Sequence, residues 1–132
     1  MIKAKKLFAA GIALVMALSL AIPAMAYNID EDSKEVDGYG TLYGSQDSEG
    51  GYLTSVTTNP DRAVLTIGTV VQNSRGEQLC KNNDKSYAGA TRLGGFWVNL
   101  PSDTYAFWGA HGVQSGGTYD PEVVYTVTHV TT

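Results

Sequence analysis

The sequence predicts an all-β protein, a small antiparallel β-sandwich of six or seven short strands that follows a cleaved signal peptide. Beyond Gly38 the chain is rich in Tyr, Thr, Val and Gly, which are strand and turn residues rather than helix formers. Its apolar residues alternate with polar ones instead of recurring every three or four positions, as half-buried strands require. Turn-forming residues separate these runs at short intervals, which is typical of a sandwich or a small barrel.

The individual strands are predicted from this alternation and from the turns between them. Pro60 occupies the second position of one turn, and Gly76 closes the loop Asn73–Gly76 where a positive φ is favourable. With a loop of four residues, Val70 is expected to pair with Leu79. The predicted strands are residues 39–45, 52–58, 63–72, 77–80, 88–99, 105–113 and 122–130.

Residues 1–26 have the three parts of a secretory signal: basic residues near the start, an apolar run over residues 7–22, and the small residues Ala24 and Ala26 before the cleavage point. The alternative, a membrane anchor, needs an apolar run of about 20 residues, and this run is shorter. We therefore predict a secreted, extracellular protein that begins at Tyr27 and has no membrane span after signal removal.

The predicted secreted chain is acidic. Removing residues 1–26 removes three of the nine basic residues and none of the thirteen acidic ones, which leaves a formal charge of −7. Nucleic acid is therefore not an expected partner. Acidic residues crowd residues 27–37, which lack a periodic apolar pattern, so this segment is predicted to be a flexible tail before a single domain at residues 38–132.

The sequence contains none of the common catalytic or metal-binding motifs, so we expect no catalytic residue, no metal site, no cofactor and no enzymatic activity. A hairpin through Gly116 and Gly117 would place His129 opposite a residue between positions 104 and 107. His111 would then lie roughly 13–23 Å away along the strand, too far to share a zinc ion. The single Cys80 is interpreted as a small apolar side chain at a strand end, with a nucleophile or an intermolecular bridge as alternatives.

Aromatic residues are the most distinctive feature of the chain, and they suggest a binding surface. If residues 101–104 form a four-residue connection, Trp97 lies opposite Trp108 and Asn99 lies opposite Ala106 on the neighbouring strand. The two indoles and Asn99 would then form a shallow platform that could stack on a sugar ring or a partner's side chain. A connection one residue shorter would separate the two indoles, and both could instead belong to the core.

Three short motifs resemble those of small exported β-sandwich proteins of Gram-positive bacteria and, more distantly, of the lactococcin-type bacteriocins. They are the Gly-Tyr-rich residues 38–44, the Trp-Gly-Ala-His-Gly-Val-Gln segment at residues 108–114 and the closing Tyr-Thr-Val-Thr at residues 125–128. This resemblance implies an antibacterial polypeptide that acts at the cell envelope. Our leading hypothesis is a secreted non-catalytic binding module whose ligand is a glycan or an extracellular protein; the oligomeric state stays open.

Overall fold

Two antiparallel sheets of four strands each face one another in the computed structural model, which describes residues 28–130. The predicted signal peptide lies outside the described residues. The strands are β1 (Ile29–Val36), β2 (Gly40–Asp47), β3 (Gly51–Val56), β4 (Val64–Gln72), β5 (Gln78–Lys85), β6 (Arg92–Phe96), β7 (Ala106–Gln114) and β8 (Glu122–His129).

Sheet A has the order β1-β2-β3-β6 and sheet B the order β5-β4-β7-β8, so the predicted all-β antiparallel sandwich is confirmed. The chain crosses between the sheets three times, from β3 to β4, from β5 to β6 and from β6 to β7. Within residues 28–130, no helix has the length and apolar character that crossing a membrane requires.

The acidic segment is an edge strand, and the prediction of a flexible tail is wrong for residues 29–36. This strand, β1, pairs with β2 along its whole length. Polar contacts hold it to the opposite sheet: Lys34 forms a 2.6 Å ion pair with Glu122, and the Asp30 carboxylate accepts a 2.9 Å hydrogen bond from the Val127 amide. Because these contacts need no apolar alternation, the hydrophobic pattern did not reveal the strand.

The apolar core lies between the sheets, toward one end of the sandwich. On β4, the alternate residues Leu65, Ile67 and Val71 are fully buried against sheet A. The core cluster combines Leu65 with residues of both sheets and their connections, namely Val36, Tyr39, Leu42, Val56, Ala63, Val113 and Val124.

The hairpin between β4 and β5 has a different register from the predicted one. Val70 lies opposite Lys81 rather than Leu79, and the ladder is irregular between Val71 and Gln72. The Asn73 side chain closes the loop by accepting hydrogen bonds from the amides of Arg75 and Glu77, and Gly76 has the expected positive φ of 80°. These side-chain bonds and the bulge shift the pairing of β5 with β4 by two residues relative to the prediction. β5 also continues to Lys85 instead of ending at residue 80.

A polar layer occupies the middle of the sandwich, with the fully buried imidazole of His111 at its centre. Its Nδ1 lies 3.1 Å from the hydroxyl of Thr54 in sheet A, and its Nε2 lies 2.8 Å from the hydroxyl of Thr126. A Cβ atom at Gly44 would come within 2.3 Å of the imidazole, and one at Gly109 within 2.6 Å. Glycine at both positions therefore makes room for the ring.

The connection between β7 and β8 is tied to the rest of the sandwich by Asp61. Its carboxylate accepts hydrogen bonds from the Tyr39 hydroxyl at 2.8 Å and from the amides of Thr118 and Tyr119 at 3.1 and 3.2 Å. Burial and the neighbouring Asp61 carboxylate raise the pKa of Tyr39 to about 12. The Tyr119 ring packs edge-on against Tyr39 with the centroids 5.7 Å apart, which completes the contact.

Protonation of His111 is expected to destabilise the fold in mild acid. Burial lowers the pKa of His111 to about 4, against a backbone hydrogen bond to Leu53 that acts to raise it. Between about pH 6.5 and about pH 4 the unfolded chain binds a proton that the folded chain excludes, so the free energy of unfolding falls as the pH falls, by roughly 3 kcal/mol. Urea unfolding of the wild type and of His111→Gln across this range measures the effect. An equally steep decline in His111→Gln would contradict the assignment.

Removal of the Tyr39 hydroxyl is expected to lower the free energy of unfolding by about 1–2 kcal/mol, because the Asp61 carboxylate loses one of its hydrogen-bond donors. Chemical denaturation of Tyr39→Phe measures this cost. Tyr125→Phe is the matched control, since that ring is 65% exposed. Equal stability of the two variants would show that the contact with Asp61 contributes nothing to stability.

Candidate functional site

The predicted platform of Trp97, Trp108 and Asn99 is not formed. Trp97 and Asn99 follow β6, which pairs only with β3 in sheet A, whereas Trp108 lies on β7 in sheet B. The residues between Phe96 and Ala106 therefore cross from one sheet to the other instead of closing a hairpin. Asn99 is exposed in this crossing, where its φ is 55°.

Trp97 turns toward the inside of the sandwich. Its backbone amide donates to the carbonyl of Gly50 at 3.0 Å, and its indole nitrogen lies 3.3 Å from the hydroxyl of Thr69 on β4. The flanking residues Phe96 and Val98 are exposed instead. Trp97 is therefore a half-buried structural residue.

Trp108 lies on the outer face of sheet B, which decides between the surface and core positions that the sequence left open. Its side chain is 46% exposed, while the neighbouring Phe107 is fully buried on the opposite face. The indole nitrogen donates a 2.7 Å hydrogen bond to the Oε1 atom of Gln72 on the adjacent strand. This bond restrains the ring while leaving a large part of it accessible to a ligand.

A groove of about 720 Å³ runs over the same outer face, and we call it the sheet B groove. Its floor is low because Gly68 and Ala110 lie directly opposite each other, with Gly112 two residues further along β7. Trp108 lies two residues before Ala110 on the same face, so it stands at one end of this floor. The volume is within the range of about 300–1,000 Å³ usual for small-ligand sites.

Polar and aromatic side chains border the sheet B groove. Asn83 and Lys85 of β5 line one side, and Gln114 lies at the end away from Trp108. On the other side Tyr125 lies opposite Ala110 in the ladder between β7 and β8, and its ring is 65% exposed. The lining of the groove itself thus combines a floor of small residues with amides, the Lys85 ammonium group and the carboxylates of Asp84 and Glu122. The Trp108 and Tyr125 rings stand beside it on the same outer face.

The two histidines lie apart, as the sequence predicts. His129 pairs with Ala106, within the expected range of positions, and its exposed ring packs edge-on against Tyr105 with the centroids 5.0 Å apart. His111 is buried in the polar layer five residues along β7 from Ala106. Over residues 28–130 no group of three or more His, Cys, Asp and Glu side chains is arranged to hold a metal ion.

Cys80 is half-buried on β5 and its sulfur forms no disulfide. Burial raises the pKa of the thiol, so this environment disfavours the reactive thiolate.

Tyr125 and the small floor residues of the groove were not predicted from the sequence. The available signal was the alternation of the last strand, which puts Tyr125 on the face opposite Val124. A glycine at position 68 within an otherwise β-branched run also marks a strand surface that something can approach closely.

No protein-family model, curated protein or solved structure matches this chain, so the candidate site is defined by its geometry alone.

Proposed function

We propose that this protein is a secreted, non-catalytic carbohydrate-binding module whose ligand lies in the sheet B groove. The observation that carries the proposal is the exposed Trp108 ring, restrained by Gln72, at the end of a groove floored by Gly68 and Ala110. Secretion is supported by the signal-like residues 1–26 of the sequence.

The chemistry of the groove suits a sugar ring. One face of a pyranose consists mainly of C–H groups, which pack on an aromatic ring, and Trp108 and Tyr125 offer two such rings on adjacent strands. The hydroxyl groups around the sugar need donors and acceptors in the same plane. Amide side chains provide both, and Asn83 and Gln114 lie at the groove.

The shape of the groove favours a glycan over a protein partner. A protein interface is centred on a well-packed pocket for a bulky anchor side chain, and it buries roughly 800 Å² on each partner. The sheet B groove is instead shallow and open, with a floor of glycine and alanine. An extended chain of sugar rings can lie along such a floor.

The antibacterial hypothesis rests on the resemblance of three short motifs. Residues of two of these motifs are structural, since Tyr39 contacts Asp61 and His111 lies in the polar layer. Growth inhibition of Gram-positive bacteria by the purified chain is the direct assay of this second function.

Trp108→Ala is expected to weaken polysaccharide binding by about 1–3 kcal/mol, the range for aromatic contacts at binding sites, with little change in stability. Affinity electrophoresis and calorimetry against a panel of soluble polysaccharides measure the effect. Phe96→Ala is the matched control, because that ring is 70% exposed on the outer face of the other sheet. Equal losses in the two variants, or no loss in Trp108→Ala, would count against the sheet B groove.

Trp97→Ala is expected to act on stability rather than on binding. Its half-buried indole and its contact with Thr69 are lost, which should lower the free energy of unfolding by about 2–4 kcal/mol. Urea unfolding followed by circular dichroism compares it with Trp108→Ala. If the stability of Trp97→Ala matched that of the wild type, the structural role of Trp97 would be refuted.

A further inference from the structure

Negative charge is absent from the strands on the outer face of sheet B. On each of its four strands, alternate side chains point outward. Counted in steps of two, these positions run over residues 64–72, 106–114, 123–129 and 81–85, and none of them is Asp or Glu. Thirteen acidic residues are present in the chain, all beyond residue 26. The outer face of sheet A, in contrast, carries Glu31, Glu35 and Asp47. The two outer faces of the sandwich therefore differ in charge.

The same carboxylate-free face carries two lysines. Lys81 and Lys85 point outward from β5 and flank Asn83, which lies opposite Gly68 of the groove floor. Both lysines are exposed, and neither forms an ion pair with the residues from 28 to 130. They are four positions apart along the strand, which is about 13 Å, so they can contact successive charges of an extended polymer.

Two carboxylates, those of Asp84 and Glu122, also line the groove. Asp84 lies between Asn83 and Lys85 and belongs to the alternate set of β5 residues, so it does not share the outward positions of the two lysines. Glu122 is paired with Lys34 of sheet A. Neither carboxylate forms an ion pair with Lys81 or Lys85 among residues 28–130, so both ammonium groups remain available to a ligand.

We infer that the sheet B groove selects acidic polysaccharides, whose carboxylate or sulfate groups pair with Lys81 and Lys85 while a sugar ring stacks on Trp108. This inference rests on the proposed carbohydrate-binding function. A chain of net charge −7 beyond residue 26 repels polyanions in general, so binding of one requires a local surface of the opposite sign. The outer face of sheet B is such a surface.

The test compares three soluble polymers: dextran, which is neutral, alginate, which carries carboxylates, and dextran sulfate. Calorimetry with the predicted mature chain is expected to give an affinity for one or both acidic polymers at least about threefold higher than for dextran. This preference should shrink between low salt and about 0.5 M NaCl because the paired charges are exposed to solvent. Comparison of the alginate and dextran sulfate arms identifies whether the carboxylate or the sulfate is selected.

The variants separate this inference from the proposed function. The double variant Lys81→Gln, Lys85→Gln is expected to lose the preference, with a drop of about three- to tenfold for the acidic polymer, since each exposed ion pair makes only a small contribution to affinity. Arg92→Gln, a charge loss on the outer face of sheet A, is the matched control and should keep the preference for the acidic polymer.

Equal binding of all three polymers, or a preference that survives in the double variant, would overturn the inference while Trp108-dependent binding still supports the function. Absence of any Trp108-dependent binding would overturn both.

Discussion

The packing of one imidazole between the two sheets is the constraint on which the rest of this sandwich depends. His111 projects from β7 into the space where Gly44 of the opposite sheet has no side chain, and a Cβ atom there would overlap the ring. The threonines on either side accept or donate the two hydrogen bonds that a buried imidazole needs. The bond between Nδ1 and Thr54 joins the two sheets at the centre of the molecule, and a relative shift of the sheets would leave this buried nitrogen unpaired.

Two kinds of interior follow from this centre. Toward one end, aliphatic residues such as Leu42 and Leu65 form an apolar cluster, where burial of surface supplies the stability. Around His111 the interior is polar, and hydrogen bonds between the sheets specify register and spacing. The edge strand β1 is also held by polar contacts. Lys34 and Asp30 attach it to sheet B through an ion pair and a hydrogen bond rather than through apolar burial. An acidic strand at the edge also discourages pairing with other chains.

Separation of the two faces of sheet B explains how so small a domain can combine stability with a binding surface. On β7, Phe107, His111 and Val113 point inward and are fully buried, which leaves the outward positions free of any packing role. Small residues at Ala110 and Gly112 can therefore lower the surface without creating a cavity in the core. The Trp108 ring is restrained by its hydrogen bond to Gln72 on the same outer face. Because this contact is made outside the core, a substitution of Trp108 does not alter the core packing.

The sequence by itself determined the all-β class, the division of β4 into two alternating faces and the separation of the two histidines, because each follows from a strand's period of two and from local turn chemistry. Which face of β4 is buried and whether Trp108 is exposed were decided by the tertiary structure. It did not reveal β1, whose attachment is electrostatic, or the partner of Trp97. Strand neighbours depend on where the chain crosses between sheets, and the connection after Phe96 carries no local signal for that choice. Only the tertiary structure could bring Tyr125, Asn83 and Trp108 to one surface, since they belong to strands that are far apart in sequence and adjacent only in the folded sheet.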